Sequence, residues 1–174
     1  MEENIFKFVG MLKRLNNPDN PNRGALAMLR RGLGQPLGEV ADMYPIIVPY
    51  LPDKIYRKEE KMFYLIGALF AWHPSNTEKG NFGDSLKILA ATRGESESLE
   101  RRFISLLNCH TDDLPDHIRQ HVGLLKSGDI PINWIQLFEN ILKWDHPDKF
   151  VQKKWAKSFW AKENPEKNEK KGEK

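Results

Sequence analysis

Residues 129–160, DIPINWIQLFENILKWDHPDKFVQKKWAKSFW, read as two helices joined by a short break. In the first, over 134–144, Trp134, Leu137, Phe138, Ile141 and Leu142 recur at helical spacing, and Ile135 and Trp144 widen the apolar arc. A helix apolar over so much of its circumference has to be enclosed on most sides. The second, over 147–160, is two-faced. Val151, Trp155 and Phe159 lie four residues apart on one side, and Lys149, Lys153 and Lys157 lie four apart on the other. One side belongs to a core. The other presents ammonium groups with no carboxylate among them.

The remaining segments are also helical in pattern. Ile5, Phe8, Val9, Leu12 and Leu15 mark an amphipathic first helix, ended by NNPDNPN at 16–22. A second helix, 23–32, turns Leu26 and Leu29 inward. Residues 39–51 read as one or two short helical pieces interrupted by Pro45 and Pro49. A long helix over 56–72 is charged in its first half and apolar all round in its second, as expected of a helix entering the middle of a bundle. After a loop at 73–83 come a short helix at 84–92 and a polar break at 93–98. Helices follow at 98–108 and from an Asp113 N-cap before Pro115 to Lys126. Asn133 is the expected N-cap of the 134–144 helix, and Asp145 with Pro147 the expected start of the last. No segment alternates with period two, and no hairpin signal is flanked by strands. The expected fold class is all-α, with about eight helices in two small bundles, 1–94 and 95–162. The charged tail at 163–174 has nothing to bury and is expected to be disordered.

Net charge is only +3, so the chain is not a histone-like polycation. Its distribution is uneven: +1 over 1–60, −1 over 61–120 and +3 over 121–174. The excess therefore accompanies the two-faced helix, where it can act locally on an anionic partner. The single cysteine, Cys109, forbids an intrachain disulfide and fits a reducing cytoplasm. MEENIFKFVGMLKRL lacks the basic n-region and cleavage site of a signal peptide. The longest apolar run, 62–72, is eleven residues, against the roughly 20 that cross a bilayer. A soluble, cytoplasmic protein without a membrane partner is expected.

Enzyme signatures are missing: no Gly-rich phosphate loop, HExxH, GxSxG or CxxC. Neither catalysis nor a cofactor is expected. HIRQH sets His117 and His121 one turn apart, a usable metal-ligand spacing near Cys109 and His110. It lacks the adjacent Glu, and two rim histidines beside a buried cysteine explain it without a metal. Asp112 with Asp113, and Asp145 with Asp148, have the look of acid–base pairs, but acids complementing helix dipoles explain them without further assumption.

The basic positions carry more. Lysines at 149, 153 and 157 present charges about 6 Å apart along a helix, by its 1.5 Å rise per residue, a distance of the order of phosphate spacing. Lys154 flanks them. Arg23 and Arg30 share a flank with Arg31 further out, Arg101 and Arg102 sit on another helix, and Arg119, Lys126 and Lys143 extend the set. By helical angle Trp160 falls on the lysine side, either free to stack on a base or folded back at a fraying end.

RGALAMLRRGLGQPLGEV (23–40), YLIGALFAWHP (64–74), NFGDSL (81–86), ERRFISLL (100–107), DDLPDHIRQHVGLLKS (112–127) and IPINWIQLFENILKWDHPDKFVQKKWAKSF (130–159) together resemble one family. It is the CasB family, the small subunit of the type I-E CRISPR surveillance complex, Cascade. The resemblance covers about residues 22–160. It implies an all-α protein of two helical bundles that performs no chemistry. Two copies sit in the complex beside the guide-RNA backbone subunits and the large subunit. They hold the guide RNA–target DNA duplex and the displaced strand through basic residues and the sugar-phosphate backbone. Carried over by position, those residues are Arg30, Arg31, Arg101, Arg102, Arg119, Lys126, Lys149, Lys153, Lys154 and Lys157. The last helix uses Lys where Arg is expected, which puts bidentate phosphate contacts there in doubt but not charge neutralisation. The alternative is a purely structural adaptor that contacts neighbouring subunits.

Overall fold

The computed structural model describes residues 1–92, 94 and 97–161. Among them the regular structure is helical: α1 (Glu2–Leu15), α2 (Arg23–Arg30), α3 (Tyr44–Ile47), α4 (Arg57–Trp72), α5 (Phe82–Thr92), α6 (Glu97–Asn108), α7 (Leu114–Ser127), α8 (Trp134–Leu142) and α9 (Phe150–Trp160). Short 3-10 turns, Ala41–Met43 and Val48–Tyr50, flank α3. The all-α class is as expected. One parallel bridge pairs Asn76 with Ile132, inside what reads as loop. It is extended by Thr77 N–H donating to the Ile132 carbonyl at 3.1 Å and Ile132 N–H to Ser75 at 3.2 Å.

α4 enters the interior as its composition demands. Every residue from 62 to 71 is buried. Gly67 lets three elements converge on it: a β-carbon there would meet Ile47 Cδ1 and Leu29 Cδ2 at 3.3 Å and Phe8 Cζ at 3.5 Å. α8 packs on both α1 and α4. Phe8, Phe63 and Phe138, one from each, form an edge-to-face cluster with centroids 4.7–6.0 Å apart. Burying each ring contributes about 1.5–3 kcal/mol, and each tilted pair about 0.5–1.5 more. Trp134 is fully buried on Phe70 and donates its indole N–H to the Ser75 carbonyl at 3.2 Å.

A second aromatic cluster lies under α9. Trp155 sits 5.1 Å from Phe82 of α5 and 5.2 Å from Trp144. Its indole N–H donates to Asn140 Oδ1 at 2.7 Å. Trp134, Trp144 and Trp155 are thus all core, as their periodicity requires. Buried side chains pack continuously across residue 94, with α8 against α1 and α9 against α5. The expected tail at 163–174 lies outside the described residues, as do 93, 95 and 96 of the expected break at 93–98, whose last two residues belong to α6.

Three local expectations are corrected. α5 begins at Phe82, not Asp84. Asn81 starts it, its side chain accepting from Gly83 N–H at 2.8 Å while Asp84 accepts from Asn81 N–H at 2.7 Å. Asp113 precedes α7 but its carboxylate makes no capping bond, whereas Asn133 does cap α8, accepting from Gln136 N–H at 3.1 Å. α9 begins at Phe150 rather than 147, because Lys149 takes the left-handed conformation, φ 49° and ψ 37°. For a residue with a β-carbon that costs about 1–2 kcal/mol.

Candidate nucleic-acid interface

α9 is amphipathic because Val151 and Trp155 are drawn fully into the core, which leaves Lys153, Lys154 and Lys157 in solvent. Several bonds hold it in place. Gln152 Nε2 donates to the Trp144 carbonyl at 2.8 Å, Asn81 Nδ2 to Ser158 Oγ at 2.7 Å, and Lys87 to the Ala161 carbonyl at 2.6 Å. Lys149 is the N-cap, set by a turn in which its N–H donates to the His146 carbonyl at 2.9 Å. Its own carbonyl takes the Lys153 N–H at 3.0 Å. Among the described residues, none of these four lysines forms an ion pair.

The start of α6 meets the end of α9. Phe103 packs on Phe159 at 4.5 Å and on Trp160 at 5.4 Å, and Trp160 Nε1 donates to Glu100 Oε1 at 2.8 Å. Of the two readings of Trp160, the folded-back one is realised, although the ring stays 43% exposed. Arg101 and Arg102 follow Glu100 directly, are exposed, and have no ion pair among the described residues. Free cations therefore occur at both ends of α9 and beside its C-terminal end.

Other expected positions are engaged. Arg31 pairs with Asp42, Arg119 with Asp116 at 2.9 Å, and Lys143 with Glu2 at 3.6 Å. Arg30 Nε donates to the Leu26 carbonyl at 3.2 Å. Lys126 donates to the Trp72 carbonyl at 2.6 Å and lies 5.1 Å from the Trp72 ring centre. Arg23 is the exception, exposed at the start of α2 without an ion pair among the described residues. Exposed pairs of this kind are worth about 0–1 kcal/mol, so a phosphate can displace the carboxylate. Sequence reasoning passed over Lys54, Arg57 and Lys61, in the run KIYRKEEK, because they stand just before and in the first turns of a helix whose second half reads as core.

The expected rim histidine is corrected. His121 is 1% exposed, its Nδ1 on the His117 carbonyl at 2.7 Å and its Nε2 without a hydrogen-bond partner among the described residues. Burial pushes its pKa down. Cys109 is half-buried; burial and then Asp113 push its thiol up to about 11. Among the described residues no three His, Cys, Asp or Glu side chains are grouped to hold a metal ion.

The family model for CRISPR-associated protein Cse2 matches residues 25–160. A CRISPR-associated protein Cse2 from Thermus thermophilus is 30% identical over 166 residues, 95% of each chain. The chain belongs to the Cse2 family. The structure agrees with solved members. CasB from M. ruber superposes with TM-score 0.76 at 30% identity over 98% of each chain. CasB from Thermus thermophilus does so with TM-score 0.77 at 28% identity, over 91% of this chain and 98% of the other. A chain of a CRISPR RNA-guided surveillance complex, 23% identical, shares the fold with TM-score 0.73. The resemblance read from the motifs is therefore a family relationship. Among the described residues no helix is long and apolar enough to cross a membrane.

Proposed function

We propose that this Cse2-family chain is a non-catalytic subunit of a type I-E CRISPR surveillance complex, working in the cytoplasm beside the guide-RNA backbone subunits, the large subunit and a second copy of itself. It binds guide RNA and target DNA through their backbones, without sequence preference, and stabilises the R-loop and the displaced strand. The observation that carries this is the exposed face of α9. Lys149, Lys153, Lys154 and Lys157 have no carboxylate partner among the described residues, and Arg101 and Arg102 continue the charge at one end. Sequence is read by guide pairing, so this subunit has no need of base contacts. Strand exchange in an R-loop is close to balanced, and modest backbone contacts tip it.

A purely structural adaptor is the second reading, favoured by exposed apolar residues such as Phe6 at 67% and Val48 at 50%. Reconstituting the complex with Lys149, Lys153 and Lys157 changed to Ala separates the two. Strand binding predicts a lower R-loop yield from an intact complex, with a deficit that narrows as salt rises and screens the parent's extra contacts. Unchanged yield at every salt concentration favours the adaptor.

A further inference from the structure

Past Lys149 and the exposed Asp148 beside it, further basic residues come near the N-terminal end of α9. Asp145, one turn earlier in the chain, forms an ion pair with Lys58. That contact brings the start of α4 to the N-terminal end of α9. Lys54, Arg57 and Lys61 lie around that start, and among the described residues none of them has an ion pair. Between Lys54 and Arg57 stands Tyr56, whose residue is 80% exposed, the most exposed large aromatic among the described residues. Its backbone is not loose. It has extended φ/ψ of −75° and 143° as the N-cap of α4, and its N–H donates to Glu59 Oε2 at 3.3 Å. An aromatic ring kept out of the core, fixed at its root and flanked by cations is the arrangement that stacks bases of single strands.

We infer that Tyr56 is a base-stacking platform where single-stranded nucleic acid leaves the α9 face, with Lys54 and Arg57 holding the adjacent phosphates. This rests on the strand-binding reading above and adds a base contact to it. Stacking is indifferent to base identity because every base has a π-face, so the lack of sequence preference is kept. A protein partner could also cover an exposed tyrosine, but the exposed Lys54 and Arg57 beside it in the chain suit a phosphate backbone better than an apolar protein surface.

The test uses the full chain with two fluorescent single-stranded oligonucleotides of equal length. One is a mixed sequence and the other has abasic sugars throughout. Tyr56→Ala is expected to weaken the mixed oligonucleotide by on the order of five- to a hundredfold, the range of an aromatic–base stack, and to leave the abasic one within twofold. Tyr56→Phe keeps the ring and is expected to bind as the parent does, which also controls for folding. Arg57→Ala is expected to weaken both oligonucleotides alike and to flatten the salt dependence by about one phosphate contact. Equal binding of the mixed strand by the parent and Tyr56→Ala overturns the inference. So does an equal loss on both strands in Tyr56→Ala. If the Lys149, Lys153 and Lys157 changes still weaken binding in that case, the strand-binding reading survives alone. If the parent binds neither strand, both fall. Loss of subunits from the reconstituted complex in Tyr56→Ala, with strand binding intact, would assign Tyr56 to a protein contact instead.

Discussion

Gly83 in α5 lies directly against the main chain of Trp155 in α9: a β-carbon added at Gly83 would come within 3.0 Å of the Trp155 Cα and overlap its carbonyl group. Backbone cannot swing aside as a flexible side chain can. This contact sets how closely α9 approaches the core and hence where its lysines stand.

Gly83→Ala is therefore expected to destabilise the protein although alanine is the better helix former. Overpacking costs about 1–3 kcal/mol and more against backbone, while the propensity gain returns about 1. A net loss of about 2 kcal/mol lowers Tm by roughly 4–8 °C in a chain of this size. Thermal denaturation followed by circular dichroism measures it, and an unchanged Tm would mean that α5 and α9 separate easily.

The buried bond from Trp155 Nε1 to Asn140 Oδ1 predicts a second loss. Asn140→Leu leaves an indole N–H in the core without an acceptor, costing about 1–3 kcal/mol. Trp155→Phe in that background removes the orphaned donor. The double variant should accordingly lose less than the sum of the two single changes. Chemical denaturation of all four proteins gives the coupling.

His121 makes stability depend on pH. Burial holds its folded pKa below the ordinary 6.5. A proton is therefore bound more readily by the unfolded chain. The sign follows: its contribution is fully present above pH 6.5, and stability falls as pH drops from there toward the folded pKa. The nearby charges of His117 and Arg102 lower that pKa further, while the hydrogen bond to the His117 carbonyl works the other way without reversing the direction. Melting curves at pH 7.5 and 5.5 should show a Tm decrease at the lower pH, smaller in His121→Leu than in the parent.

We propose that the segments 1–94 and 95–162 are two lobes of one cooperative unit, since Phe8 and Phe63 share a cluster with Phe138. One unfolding transition, coincident by tryptophan fluorescence and circular dichroism, is expected. Two separated transitions would make them independent bundles.

Much of this was legible in the residues alone. Apolar periodicity placed Trp134 and Trp155 in the core, and the all-round apolar half of α4 marked it as central, because burial is what spacing encodes most directly. Element starts were harder. α5 starts with the Asn81 side chain accepting from Gly83 N–H and Asp84 accepting from Asn81 N–H, and α9 with a left-handed Lys149, and neither start was read from residue type. The basic residues divided for a different reason. Lys153 and Lys157 have no ion pair among the described residues because their whole helix face is exposed, a local fact. Whether Lys143 meets Glu2, or Lys126 meets Trp72, depends on contacts across the fold that no spacing records. Trp160 shows the limit of helical angle: projected among lysines, it turns back onto Glu100 and Phe103 at the helix end.

The central claim is that the α9 face neutralises phosphates. The salt dependence of single-strand binding by the full chain tests it most directly, compared between the parent and the variant with Lys149, Lys153 and Lys157 changed to Ala. Each lost contact reduces the slope of log K against log salt by about 0.7 for a single strand, so the variant should be flatter by up to about 2. Parallel lines with equal affinities would contradict it.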